Sequence, residues 1–521
     1  MTTIPDPHVP VEVEVNEEAN EPAQKSPQSN VESNSPSEEE NELHYPVDHL
    51  STPRQILFIR TLCTAMFTNQ IGLGNTLATV GPIGESFGIS NPGQLSWLIA
   101  GYSLTIGTFI LIGGRLGDEF GNKKLFVIGT AWYALWSLIA GLAVYSTQVL
   151  FVFARVLQGV GPALTLPNAL AILGRSYSPG PRKNMSFAWF GASAPFGAII
   201  GFFFGGLFVL AWWPWIYWSQ GIALAIIAVF AAWAIPPLPV SRQQGKQLRE
   251  RLEDLDVLGG LTGVTALVLV NLAWNQAVVV GWQEVYIYLC LILGFLFGVV
   301  FFLIEVYWAK SPIIPFASFN SDVAFVFACT AAGWACFGIW IFYIGQVALN
   351  IDGNTPIQMS AWFAPGIPVG LISALAVGKL LGKVPAPWIM VIGQVAYLAG
   401  SILASIRPPH STYWTYFFFS VLIITVGMDT SFPAATIIFS DAVPRHHQGM
   451  GASVVLTVVN YSISISLGFA GTIERYINNG GHTEADRLHG YRGAIWFSVG
   501  LAGLGLILSL VFVFNSKKQR G

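Results

Sequence analysis

Charged residues are scarce in this chain: they form 10% of its 521 residues, whereas 53% of the residues are apolar. A soluble domain carries about 25% charged residues, so the composition excludes an ordinary water-soluble domain. Cysteine is also rare, and all 4 cysteines fall inside apolar stretches. This placement favours packed small side chains over a disulfide framework.

The sequence also lacks the motifs of several kinds of active protein. It contains no Walker loop of the form GxxxxGK[ST], which argues against an ATP-driven pump. It shows no metal-ligand spacing and no nucleophile constellation, so we expect no enzyme activity, no metal site and no cofactor. We expect no nucleic-acid partner, and the N-terminal tail lacks the apolar segment of a signal peptide.

Fourteen apolar stretches fill the chain between residues 56 and 514. Each is long enough to cross a bilayer, which takes roughly 20 apolar residues. The expected spans are 56–82, 92–113, 124–145, 148–171, 186–211, 214–236, 257–280, 285–308, 322–349, 358–382, 386–406, 413–440, 449–474 and 492–514. The sequence therefore predicts an all-α polytopic membrane protein embedded in a lipid bilayer.

Lysine and arginine predict the orientation of the chain. With the N-terminus in the cytosol, the inward connections and the C-terminus carry 17 Lys and Arg, and the outward connections carry 4. This asymmetry follows the positive-inside rule and predicts that both termini are cytosolic. We expect the protein in the plasma membrane. The vacuolar membrane is the alternative, because helix tilt absorbs differences in bilayer thickness and span length therefore does not separate the two.

A short repeat divides the spans into two sets of six. Residues 161–169 and 427–435 both place Gly and Pro six residues apart and end in Pro-x-Ala. Two six-helix halves around a midplane site are the plan of alternating access, although chance similarity between apolar helices is the alternative. The predicted segments are a disordered acidic tail (1–53), a six-helix half (54–236), a charged cytosolic loop (237–256), an inserted helix pair (257–308), a second half (309–514) and a basic tail (515–521).

The connection after the second span is a turn of glycine, aspartate and basic residues. Its glycines let two helices approach closely, and its aspartate can cap a neighbouring helix or pair with an arginine. We predict a latch that opens during a transport cycle, and an ordinary charged turn is the alternative. The predicted gating residues are Gly114, Asp118, Gly121, Lys123 and Lys124.

Two charged side chains lie deep in apolar spans. Arg155 should face a cavity or a partner, because a guanidinium inside an apolar helix is costly. Asp429 is the only carboxylate deep in a span of either half, and a buried carboxyl could take up and release protons. We place both in a coupling and substrate cavity with Gln158, Asn75 and Asn168. The alternatives are a structural arginine, a packed neutral aspartic acid and amides that only join helices.

The fifth span is rich in small residues. Gly197, Gly201 and Gly205 recur at every fourth position, which gives a flat face for close helix packing. Pro195 permits a bend, so we predict a hinge formed by Gly191, Pro195 and Gly201. Generic helix packing explains the pattern equally well.

Residues 114–124 and 155–162 resemble the two best-marked motifs of the major facilitator superfamily. Fourteen spans with a central inserted pair are similar to its drug:proton antiporter subgroup. The loop, together with residues 155–169, looks most like fungal aminotriazole-resistance and boron-efflux transporters. The resemblance implies the major facilitator fold, alternating access, efflux from the cytosol and proton coupling. It also implies gating and coupling roles for Asp118 and Arg155, and an antiporter-type bend at Pro195.

Three departures from the family pattern are visible. Glu119 and Asn122 stand where the loop motif usually has basic residues, and Ala194 replaces the glycine before Pro195. In the first span, Gly74 replaces the aspartate of the subgroup's Leu-Asp-x-Thr. The last departure weakens the expectation of proton coupling or moves it to Asp429.

We therefore expect a monomeric secondary transporter that exports a small toxic solute in exchange for protons. The solute is boric acid or borate, or a drug-like compound. A proton-independent uniporter or a nutrient uptake carrier is one alternative, which the glycine at position 74 favours. A membrane sensor that signals through its tail is the other, and the absence of a long cytosolic signalling domain argues against it.

Overall fold

The structure is a computed structural model that describes residue 47 and residues 50–89, 92–236, 255–309, 312–314, 321–381, 383–442 and 448–520. Most of the acidic tail predicted at 1–53 lies outside the described residues, which include only residue 47 and residues 50–53 of it. Most of the charged loop predicted at 237–256 also lies outside them.

The described residues form fifteen α-helices. The first six are α1 Thr52–Ser86, α2 Pro92–Phe120, α3 Asn122–Leu142, α4 Gln148–Ser176, α5 Pro181–Ala211 and α6 Trp215–Ala234. A helical pair follows, α7 Val257–Val280 and α8 Val285–Leu303, and α8 continues into a π-helical turn, Ile304–Trp308. The remaining helices are α9 Ser321–Asn350, α10 Pro356–Phe363, α11 Gly366–Leu380, α12 Ala386–Ser405, α13 Phe417–Ala442, α14 Gln448–Ile477 and α15 Glu484–Arg520.

The helices reproduce the expected spans. Within the part of the chain that the structure describes, 13 helical segments are long and apolar enough to cross a membrane. The one expected span not among these 13 is the second, 92–113, which coincides with α2, several of whose side chains lie outside the described residues. The tenth span is made of two helices, α10 and α11, which meet at Ala364 and Pro365. The predicted all-α polytopic fold is confirmed.

Helix ends follow local sequence signals. Proline stands in the first turn of α1, α5, α10 and α12, where its missing N–H costs nothing. Thr355 and Gln358 form a capping box at the start of α10. The interior prolines of α4, α5 and α13 lie within long apolar helices, where neighbouring helices re-satisfy freed backbone groups.

The repeat in the sequence corresponds to a repeated helix contact. A Cβ on Gly161 of α4 would lie 2.4 Å from Tyr133 Cβ and 3.0 Å from the carbonyl oxygen of Gly129 on α3. A Cβ on Gly427 of α13 would lie 3.0 Å from the carbonyl oxygen of Gly393 on α12, with Tyr397 equally close. Each glycine therefore lets the fourth helix of its half approach the third, around a tyrosine one turn away.

The two halves meet along two seams. On one side α2 packs against α14, and on the other α5 packs against α11 and α13. The inserted helix α7 packs against α8 and also contacts both α2 and α14. Asn271 of α7 donates to Ser464 of α14 (2.7 Å), and Trp97 of α2 donates to Gln276 of α7 (2.8 Å). The inserted pair therefore covers the α2–α14 seam and is hydrogen-bonded to both halves.

Candidate functional site

The predicted latch between α2 and α3 is built around an ion pair. Arg175, in the last turn of α4, contacts Asp118 (Nη2 to Oδ1, 2.5 Å) and donates to Asn122 Oδ1 (2.8 Å). Both partners of the ion pair are largely buried, with side-chain exposures of 12% and 5%. Gly121 connects the two helices with φ of 102°, a backbone conformation that other residues rarely adopt. The turn thus joins α2, α3 and the end of α4.

Two further predicted residues extend the latch. Lys123 Nζ donates to the carbonyl oxygen of Ile235 just after α6 (2.5 Å), so the turn also closes on α6. Asn168, which we predicted in the cavity, accepts from Asn122 (2.8 Å) and donates to the carbonyl of Gly113 (3.0 Å). The structure therefore places Asn168 beside the latch. Of the other predicted gating residues, Gly114 is buried in α2 and Lys124 is exposed.

Arg155 lies fully buried inside the first half. Its Nε donates to the carbonyl of Leu98 (3.3 Å), one terminal nitrogen donates to the carbonyl of Gly72 (3.4 Å), and the other donates to Gln158 Oε1. The guanidinium also lies 4.3 Å from the ring centroid of Tyr102, within range of a cation–π interaction. These contacts join α1, α2 and α4 around one positive charge.

A hydrogen-bonded cluster of tyrosines surrounds this arginine. The hydroxyls of Tyr102 and Tyr133 are 2.8 Å apart, Gln220 Nε2 donates to Tyr133 (2.8 Å), and Tyr102 donates to Asn69 Oδ1 (2.8 Å). The Tyr217 ring lies on the same guanidinium at 5.6 Å. The sequence did not reveal these residues, because a tyrosine in an apolar span gives the same signal whether its hydroxyl joins a polar cluster or its ring only packs against other helices. Their hydroxyls form a hydrogen-bonded polar cluster in the otherwise apolar interior of the first half.

Asp429 lies where the two halves meet. It is 2% exposed, and its Oδ2 has no hydrogen-bond partner among the described residues. A Cβ on Gly370 of α11 would lie 2.4 Å from this oxygen and 2.8 Å from Pro195 Cγ of α5. A Cβ on Gly191 of α5 would lie 2.8 Å from Pro433 Cγ of α13. The carboxyl therefore lies at a three-helix contact that must change if the halves move against each other.

The predicted hinge residues face two different partners. Gly191 and Pro195 face the second half, as described above. Gly201 faces α1 within the first half, where an added Cβ would lie 2.6 Å from the carbonyl oxygen of Ile71. The cavity candidate Asn75 belongs to this same α1–α5 contact, and its buried Oδ1 has no partner among the described residues.

Gly74 belongs to the α1–α5 contact as well. A Cβ at this position would lie 2.4 Å from the carbonyl oxygen of Ala198. An aspartate there would require α1 and α5 to move apart, which gives a physical reason for the departure at this position.

Arg155 and Asp429 are not brought together. Every hydrogen bond described for Arg155 has its partner in the first half, whereas Asp429 lies at the seam between the halves. A second acid, which our sequence analysis did not single out, is Glu474 near the end of α14. Tyr343 of α9 donates to it (2.8 Å). Its place near a helix end gives no sequence signal that separates it from an interfacial side chain.

Two repeated sets of membrane helices that meet at a central contact are the plan of secondary transporters that work by alternating access. Residues 62–348 match the model of the Major Facilitator Superfamily. The chain belongs to this superfamily, as its motifs predicted.

Several curated relatives are similar over nearly the whole chain. Efflux pump terG of Aspergillus terreus is 58% identical, covering 92% of this chain and 91% of its own. The low affinity ammonium transporter of Saccharomyces cerevisiae is 50% identical over 88% of each chain. The aminotriazole resistance protein of the same yeast is 38% identical over 89% of this chain and 84% of its own. The predicted resemblance to fungal aminotriazole-resistance transporters is confirmed, and the relatives are transporters.

Proposed function

We propose that this protein exports a small toxic solute from the cytosol by alternating access, in exchange for protons. The observation that carries the proposal is Asp429, a buried carboxyl with an unpartnered oxygen at the contact of α5, α11 and α13. Such a group can hold a proton when it is enclosed and release it when the seam opens to water. Opening and closing of that seam would then be linked to proton movement.

The polar interior of the first half supports a small, uncharged or weakly acidic solute. Boric acid and drug-like compounds with polar groups both fit this description. The efflux pump and the resistance protein among the relatives support export of a toxic compound. We propose the plasma membrane as the site of action, with both termini and the α2–α3 latch in the cytosol.

Solute retention in cells that overproduce the chain tests the proposal. Cells are preloaded with boric acid or with a lipophilic cationic drug, and loss of the solute is followed with and without a protonophore. We expect faster loss of one solute in the wild type, and the protonophore should abolish the difference. Asp429→Asn should lower the rate roughly ten-fold or more, because the amide cannot exchange a proton.

Glu284→Gln is the matched control, because Glu284 is an exposed carboxylate between α7 and α8. This variant should export as the wild type does. Asp429→Asn with intact gradient-driven export would remove Asp429 from the mechanism. Unchanged retention of both solutes in the wild type would reject both substrate classes.

A second candidate is proton-independent uptake of a small nitrogen compound. Two observations favour it: the close α1–α5 contact at Gly74 leaves no room for an aspartate, and one relative at 50% identity is described as an ammonium transporter. Uptake of labelled methylammonium distinguishes the two candidates. Faster uptake in cells that overproduce the chain, unchanged by a protonophore, would favour uptake over export.

A further inference from the structure

The start of α7 and the end of α8 bring two carboxylates together. Asp256 caps α7 by accepting the N–H of Gly259 with Oδ1 (3.0 Å). Glu305 lies in the π-helical turn after α8, and such turns often occur at functional sites. A Cβ on Gly259 would lie 2.2 Å from Asp256 Oδ2 and 2.9 Å from Glu305 Oε1. One oxygen of each acid therefore approaches the same point.

Neither of these two oxygens has a hydrogen-bond partner within the described ranges. Glu305 is 4% exposed, so its carboxyl cannot rely on water to stabilise a negative charge. Two ionised carboxylates whose oxygens approach the same point also repel each other. One proton held between them would give both oxygens a partner and remove the repulsion.

The surroundings favour a proton over a metal ion. In the part of the chain that the structure describes, no group of three His, Cys, Asp or Glu residues could hold a metal. Calcium takes about 6 to 8 oxygen ligands, and two carboxylates fall far short of that number. Among the described residues, Asp256 is the one charged group that acts on Glu305, which also accepts a hydrogen bond from the backbone N–H of Ile314.

We propose that Asp256 and Glu305 bind one proton between Oδ2 and Oε1, forming a protonation site in the inserted helix pair that is separate from Asp429. The proton comes from water and returns to it, and no other bond changes. The site lies outside both halves, and its assignment rests neither on the identity of the solute nor on the direction of transport.

The site is connected to the seam between the halves. The other oxygen of Glu305 accepts the backbone N–H of Ile314 (3.3 Å). The neighbouring side chain of Ile313 packs in a buried cluster with Leu111 of α2 and Val454 of α14. Loss of the shared proton would leave two negative charges that repel each other. The repulsion would displace the Glu305 carboxyl and weaken its hydrogen bond to Ile314. Proton occupancy is thereby linked to packing at the α2–α14 seam.

Modification by dicyclohexylcarbodiimide tests the site directly, because this reagent reacts with protonated carboxyl groups in apolar surroundings. The purified full chain is treated near neutral pH, and the modified residues are identified by peptide mass spectrometry. We expect Glu305 to be modified roughly ten-fold more than the exposed Glu284 of the same hairpin. Raising the pH should reduce this modification in the wild type.

Two variants separate the pair from other causes. Asp256→Asn keeps a capping oxygen for α7 but removes the second carboxylate, so modification of Glu305 should fall roughly three-fold or more. Asp429→Asn should leave modification of Glu305 unchanged, whether or not the proposed export mechanism holds.

Three results would overturn the proposal. The first is modification of Glu305 no greater than that of Glu284. The second is a level that Asp256→Asn does not change. The third is protection by millimolar Mg²⁺ or Ca²⁺ at constant pH, which would indicate a cation site in place of a proton site.

Discussion

The two halves of the molecule share their packing but differ in the charge that they bury. The repeats begin at Gly161 and Gly427. Arg155 lies six residues before the first of these glycines, and Val421 occupies the equivalent position before the second. The place of Asp429 in the second half is taken by Ala163 in the first. All four residues are buried. At these repeat positions, each half thus carries a buried charged residue on its fourth helix, of opposite sign and at a different place in the repeat.

The partners of the two charges also differ. Arg155 has backbone carbonyls, an amide and two aromatic rings around it, all within one half. Asp429 leaves one oxygen without a partner at a contact between the halves. A charge with a complete set of partners stabilises a structure, whereas an incompletely paired one is a candidate for chemistry. The comparison therefore predicts a mainly structural role for the arginine and supports the proton exchange that we propose for the acid.

Removing Arg155 should have the largest effect on stability. Arg155→Ala leaves Gln158 and two carbonyls without their donor and opens a cavity, so we expect a loss of about 3 kcal/mol or more. Thermal unfolding of the purified protein in detergent measures this loss. Val421→Ala is the matched control in the other half and should cost about 2 kcal/mol or less. Equal losses for the two variants would contradict a structural role for the arginine.

Crowding Asp429 should have a smaller effect on stability and a clear effect on transport. Gly370→Ala would place a Cβ 2.4 Å from Asp429 Oδ2, and the displacement should cost about 1 to 3 kcal/mol. Gly500→Ala is the control, because a Cβ there meets nothing within 4 Å. Gradient-driven solute flux should fall with Gly370→Ala and stay unchanged with Gly500→Ala. Normal flux in Gly370→Ala would mean that the acid tolerates displacement.

The sequence predicted those parts of the fold that depend on local pattern. Apolar length gave the spans, and the paired Gly and Pro of residues 161–169 and 427–435 gave the repeat. The broken tenth span was harder, because Pro365 inside an apolar stretch permits a kinked helix as well as two helices.

The candidate site was less predictable because its contacts are long-range. Arg175 is 57 residues from its partner Asp118, and nothing near either residue indicates the pairing. We predicted Asn168 in the cavity, but it lies beside the latch. An amide in an apolar helix looks the same in the sequence whether it faces a solute or another helix. The burial of Glu305 has no signal in the sequence, since the π-helical turn that carries this residue leaves no recognisable pattern.

Removing one tyrosine hydroxyl from each half should have the smallest effect on stability, and it compares the two halves most directly. Tyr133 and Tyr397 occupy matching positions on α3 and α12, and each can lose one hydroxyl by change to Phe. The Tyr133 hydroxyl contacts Tyr102 and Gln220 (both 2.8 Å) and donates to the carbonyl of Thr68 (3.1 Å). Tyr133→Phe should therefore cost about 1 to 3 kcal/mol, because buried polar groups lose their partner.

The Tyr397 hydroxyl has one described hydrogen-bond partner, Ser431 (3.0 Å), so Tyr397→Phe should cost about 1 kcal/mol or less. Both variants keep the ring that packs against the repeat glycine, so thermal unfolding compares the hydroxyls alone. A larger loss for Tyr133→Phe would support a polar network concentrated in the first half. Equal losses would mean that the halves differ in the sign of their buried charge and not in how it is surrounded.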